Sequence, residues 1–166
     1  ALLAASLLAT SLAPAPARAW SPQSTCSSTS LPVTWASLPV TWKLRDKFPG
    51  PNTFYPGLSD AAVQGAVQGG WDVWSDPNSC TTDFTSAYTG TTTTSALVNS
   101  AEPVVEFFTF GWPNYYGSVN STIAVTINWT SGCSIVAADQ VYNGEGFNFT
   151  TSNSPGFNNT DLQSIA

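Results

Sequence analysis

Apolar residues repeat with two different periods along this chain, and the change of period marks its elements. In GLSDAAVQGAVQGGWDVWSDP, Val63, Val67, Trp71 and Trp74 recur at spacings of four, four and three. That spacing keeps one side of a 3.6-residue helix apolar and predicts a helix inside 57–77, with Ser59 placed to cap it and Pro77 to close it. Gly65, Gly69 and Gly70 weaken the helix and, on its face, predict close packing against a sheet. Beyond Pro77 the period falls to two. Phe84 and Tyr88 predict a short strand in TTDFTSAYTG, the Thr run to Ser95 reads as a loop, and PVVEFFTFGW reads as a mostly buried strand. TIAVTINW and IVAADQVYNGEGFNFT read as two further strands, joined through Thr130, Ser131, Gly132 and Cys133 over a hairpin-length connection.

Ahead of the helix, the pentapeptide Leu31–Trp35 returns as Leu38–Trp42. Two copies fall short of the roughly three that a solenoid needs, but the second, extended to Leu44, has the β-branched and aromatic content of a strand. Residues 151–160 read as a Ser-, Asn- and Gly-rich loop. Leu162 and Ile165, three apart after a Thr-Asp pair, read as the first turn of a second helix capped by Thr160 or Asn159. Strand, helix, strand, strand, hairpin and helix in that order predict an α/β (α+β) fold over 31–166. It comprises a twisted mixed sheet of about five strands with one antiparallel edge strand, one long helix packed on it, and the start of another.

Composition narrows what this fold can do. With 42% hydrophobic residues in 166, the chain can bury one core. Only 8% of residues are charged, and a net charge of -6 with four Lys and Arg in total argues against a nucleic-acid partner. The apolar run at 1–19 is too short to span a bilayer, is broken by Pro14 and Pro16, and ends in Ala17-Arg18-Ala19. It therefore reads as a secretory signal peptide that lacks its basic n-region, followed by a polar stretch at 20–30. The exported protein is expected to begin at Trp20 and to have no membrane partner after cleavage. Three cysteines fit an oxidising compartment; Cys80 and Cys133 are the expected pair, leaving Cys26 for a partner after Ala166. Four Asn-x-Ser/Thr triplets, at Asn120, Asn128, Asn148 and Asn158, are expected by chance in so Asn- and Thr-rich a chain.

Six pieces in linear order, PVTWKL, SDAAVQGAVQGGWDVWSD, PVVEFFTFGW, STIAVTINW, VAADQVYN and TDLQSIA, resemble the amino-terminal half of the catalytic domain of matrixin-like metzincin metallopeptidases, particularly secreted bacterial ones. The resemblance covers about Leu31 to Ala166. It implies that DLQSIA opens the active-site helix, that the H-E-x-x-H zinc motif follows one or two residues later, and that the zinc ligands lie outside this chain. It also implies a peptide or protein substrate bound as an added strand along TIAVTINW, centred on Ala124, Val125, Thr126 and Ile127. Where relatives hold structural zinc with His and Asp, this chain has Val141 and Asn143. Calcium through Asp139, Asn143 or Glu145 stays open, because oxygen ligands suffice.

The chain has no His, so it carries no zinc ligand set of its own and is expected to be inactive by itself. Glu102 and Glu106, four apart in an expected strand, read as a solvated pair on one face. The expected function is that of a secreted zinc endopeptidase. The alternative is a secreted β-rich module that uses its seven Trp residues to hold polysaccharide or a protein partner.

Overall fold

The computed structural model describes residues 26, 28, 30, 32–46, 55, 57–75, 84–152 and 154–166. The expected leader 1–19 and Cys80 lie outside them. The elements run β1 (Thr34–Trp35), β2 (Val40–Arg45), α1 (Asp60–Ser75), β3 (Ser86–Thr92), β4 (Val104–Phe108), β5 (Ala124–Ser131), β6 (Ser134–Asn143), β7 (Asn148–Thr150) and β8 (Asn159–Asp161). β3, β2, β4, β6 and β5 lie side by side in that order, and every pairing is parallel except β5 with β6. The expected mixed sheet with one antiparallel edge strand and one long helix is therefore present.

Three elements escape the periodicity. β1 adds a sixth strand, beside the start of β6 on the side that β4 also occupies. The two LPVTW copies thus enter different neighbourhoods, the first against β6 and the second between β4 and β3. The expected strand through Thr150 breaks after Asn143 at a turn, and its end becomes β7, which pairs with β8 in a small parallel sheet.

Alternation along the strands separates two faces. Val40, Trp42 and Leu44 of β2, Val105 and Phe107 of β4 and Tyr142 of β6 meet Val63, Ala66, Val67 and Trp71 of α1 in the main core. Trp42 is fully buried, lies 6.2 Å from the Trp71 ring, and donates its indole N–H to Gln68. Burying such rings supplies most of the driving force for this layer. Ser59 caps α1 as expected, its Oγ accepting the Ala62 N–H at 3.2 Å. On the opposite face, Val104 and Val141 pack with Ala96 and Trp112 from the loops on either side of β4.

Two of the three glycines of α1 serve a different neighbour from the one expected, and Gly65 has no close neighbour. A Cβ on Gly70 would come within 2.6 Å of Ala166, and one on Gly69 within 2.9 Å of Gln163, so these glycines admit the turn that follows β8 rather than a sheet strand. In that turn Ala166 N–H reaches the Leu162 carbonyl at 3.2 Å, the i to i−4 bond of a helical turn. Its cap is Asp161, not Thr160 or Asn159: the carboxylate accepts the Gln163 N–H at 3.2 Å and the Ser164 O–H at 2.5 Å. Asp161 is the last residue of β8, and its extended backbone directly before the turn is the conformation a cap residue takes, while Asn159 and Thr160 lie further back along the strand. Among the described residues no helix is long and apolar enough to cross a membrane.

Candidate functional site

The residues expected to form a peptide-binding edge lie on β5, and its register shows which backbone groups face outward. Ala124, Val125, Thr126 and Ile127 pair with Tyr142, Val141, Gln140 and Asp139 of β6. Asn143 donates its N–H to the Ile123 carbonyl at 2.9 Å, so 123 and 143 form a hydrogen-bonded pair. Antiparallel pairing alternates such pairs with open ones, so Val125 and Ile127 turn their backbone groups toward β6, while Ala124 and Thr126 turn theirs to the outer side. Among the described residues β5 pairs with β6 alone. Val125 and Ile127 anchor the strand by packing toward Val104, Val141 and Trp112, Ala124 packs toward the helix-side core, and Thr126 is exposed.

The polar residues near this strand work as clamps. Asp139, fully buried, accepts the Val104 N–H at 2.7 Å through Oδ1 and the Trp129 indole N–H at 2.6 Å through Oδ2, tying the start of β4 to β5. Burial pushes its carboxyl up to about 6, against the opposing pull of those two hydrogen bonds. Asn143, also fully buried, donates its amide to the carbonyls of Val119 and Thr122, both at 2.7 Å, and accepts the Gly146 N–H at 2.9 Å. It thereby holds the turn that leads into β5. Glu145 accepts the Trp112 N–H at 2.8 Å.

The three residues considered for calcium are thus each engaged with a different stretch of backbone. Among the described residues no three of Cys, Asp and Glu gather closely enough to hold a metal. Since the chain also lacks His, these residues do not fit a catalytic zinc.

Two expectations about the remaining groups need correction. Cys133 is joined to Cys26, not to Cys80. The short strand β1 lays the amino-terminal segment beside β6, which brings Cys26 to the tip of the β5–β6 hairpin. Cys26 is therefore committed within this chain and holds no free thiol. Glu102 and Glu106 are not a solvated pair. Glu102 is exposed and pairs with Lys43 at 2.9 Å. Glu106 is buried in β4, where it pairs with Arg45 and accepts the Ser95 O–H at 2.8 Å and the Ala96 N–H at 2.9 Å. Only residues 104–108 are extended, so Glu102 falls before the strand and shares no face with Glu106.

Sequence reasoning passed over Gln140. It lies opposite Thr126, and its Oε1 accepts the Trp71 indole at 3.2 Å and the Tyr142 hydroxyl at 2.9 Å, while its Nε2 faces the Ala166 carbonyl at 3.4 Å. The available signal was a long polar side chain inside a strand flanked on both sides, where burial demands partners. Taken together, the outer side of β5 offers backbone donors and acceptors to an extended chain, and the capped turn at Leu162 lies within reach of the same stretch of β6. Comparison with protein-family models, with curated proteins and with solved structures finds no match to this chain.

Proposed function

We propose that this chain forms the amino-terminal part of the catalytic domain of a secreted, matrixin-like zinc endopeptidase that hydrolyses peptide bonds by a metal-activated water. The six sequence pieces that carry the resemblance fall, in order, on β2, α1, β4, β5, β6 and the turn capped by Asp161. The observation that carries the reading is the meeting of two of them. Among the described residues β5 pairs on one side only, with β6, and the capped turn sits one strand away, joined through Gln140. An added peptide strand and a helix beginning at Leu162 would then share one sheet. The Cys26–Cys133 disulfide supports export to an oxidising compartment.

In this reading the zinc ligands belong to residues after Ala166. What the chain itself contributes is a substrate-aligning edge and the seat of the helix, with no group that activates water. The alternative, a module binding through its Trp rings, has less support, because Trp42, Trp71 and Trp112 are buried, while Trp74, expected on the packed side of α1, is exposed. The test is a protein continued for about a hundred residues past Ala166, roughly the remainder of a domain. It is expected to bind zinc and cleave unfolded protein substrates in a chelator-sensitive way, while the 166-residue chain does neither. A longer protein that binds no zinc and cleaves nothing would overturn the proposal, and so would proteolysis by the present chain.

A further inference from the structure

We propose that Gln140 is a positioning residue that fixes the turn Leu162–Ala166 to β6 at the point opposite the peptide-binding edge. The inference rests on the endopeptidase reading for its consequence in catalysis, but its structural content stands on the contacts alone.

The orientation of the Gln140 amide is set by chemistry. The Trp71 indole can only donate, so the atom facing it must be the amide oxygen, and the Tyr142 hydroxyl donates to that same oxygen. The NH₂ group is then left to face the Ala166 carbonyl. Three elements therefore converge on one side chain: α1 through Trp71, β6 through Tyr142, and the turn through Ala166. The glycine seat on α1 fixes how closely the turn approaches, since any side chain at Gly70 would collide with Ala166. Gln140 fixes where along β6 it lands. Because Gln140 is in register with Thr126, whose backbone faces the outer edge, the spacing between a bound peptide and the start of the second helix passes through this residue. Small misplacements of reacting groups are costly to rate, so such a residue acts on turnover more than on substrate affinity.

Two substitutions separate positioning from packing. Gln140→Met keeps length and apolar contact but loses both hydrogen-bonding roles, while Gln140→Glu keeps the acceptor for Trp71 and Tyr142 and loses the donor to Ala166. In ¹⁵N relaxation on this chain, Gln163–Ala166 should show order parameters near 0.85 in the unsubstituted protein. In both variants these should fall below about 0.6, with β4 and β6 unchanged. Unchanged order at 163–166 in both variants would overturn the inference, as would an equal loss of order across the whole sheet. If the buried charge prevents Gln140→Glu from folding, Gln140→Met decides alone. In the protein continued past Ala166, both variants should lower kcat about tenfold with KM within about twofold. A rise in KM at unchanged kcat would count against positioning. Should the unsubstituted longer protein cleave nothing, the endopeptidase reading falls, and the relaxation result still decides what Gln140 does.

Discussion

The two faces of the sheet are held by different means. On the α1 side, Trp42, Leu44, Val63, Val67 and Tyr142 are almost wholly buried, and ring meets ring from Tyr88 through Trp42 to Trp71. On the other side the apolar cluster is small, and the buried side chains include Glu106, Asp139 and Asn143, all bonded to loops or neighbouring strands. The helix face is therefore stabilised by area removed from water, which is non-directional and tolerant of shift. The loop face depends on hydrogen bonds of fixed geometry, each of which leaves a stranded partner when broken. A layer covered by a helix can be built from apolar periodicity. One covered by loops must satisfy the backbone of those loops, and here buried carboxylates and an amide do so.

That contrast predicts different responses to damage. Trp42→Ala should cost about 4 kcal/mol in equilibrium unfolding, the range for truncating a fully buried aromatic, and should weaken hydrogen-exchange protection throughout the sheet. A loss under about 1.5 kcal/mol would show that the helix face is not the main source of stability. Glu106→Ala should cost less, about 2 kcal/mol, because Arg45 is partly exposed and can be rehydrated while the Ala96 N–H loses its acceptor. Its effect should be local, with faster exchange at Ser95–Leu97 and little change in α1. Uniform loss of protection in both variants would erase the distinction between the faces.

The same contrast explains what could be read in the sequence. α1, its Ser59 cap and the presence of the five long strands were legible because alternating or helical spacing records which side is buried, although β3 begins after Phe84 and takes in Thr91 and Thr92, which read as loop. β1 and β8 were not, since two or three residues are too few to show a period, and each exists only because a neighbour pairs with it. β5 itself was legible through hairpin spacing. The clamps around it were read as solvated or cation-binding residues, because a sequence shows that Asp139, Asn143 and Glu106 are polar but not which distant amide each one meets. The disulfide failed for the same reason: Cys26 reaches Cys133 across a separation of 107 residues through a strand with no sequence signature.

The last test sharpens the comparison further, because it turns on the sign of a single titration. The Asp139 carboxyl, ordinarily at 3.8, is pushed up to about 6 by burial. The folded protein therefore holds this proton more tightly than the unfolded chain does. Its contribution favours folding in full below the ordinary value and is lost as pH rises through about 6. Tyr116, which senses the Asp139 charge, is itself pushed up to about 12, chiefly by burial, and so stays protonated across this window. Asp139→Asn keeps the shape and one acceptor oxygen but cannot titrate. The urea midpoint of the native chain minus that of Asp139→Asn should therefore fall as pH rises from about 4 to about 6.5 and be flat above it. A difference that rises over that range would mean that the hydrogen bonds from Val104 and Trp129 outweigh desolvation. The loop face would then be held by a stabilised charge rather than by a carboxylate kept at a cost.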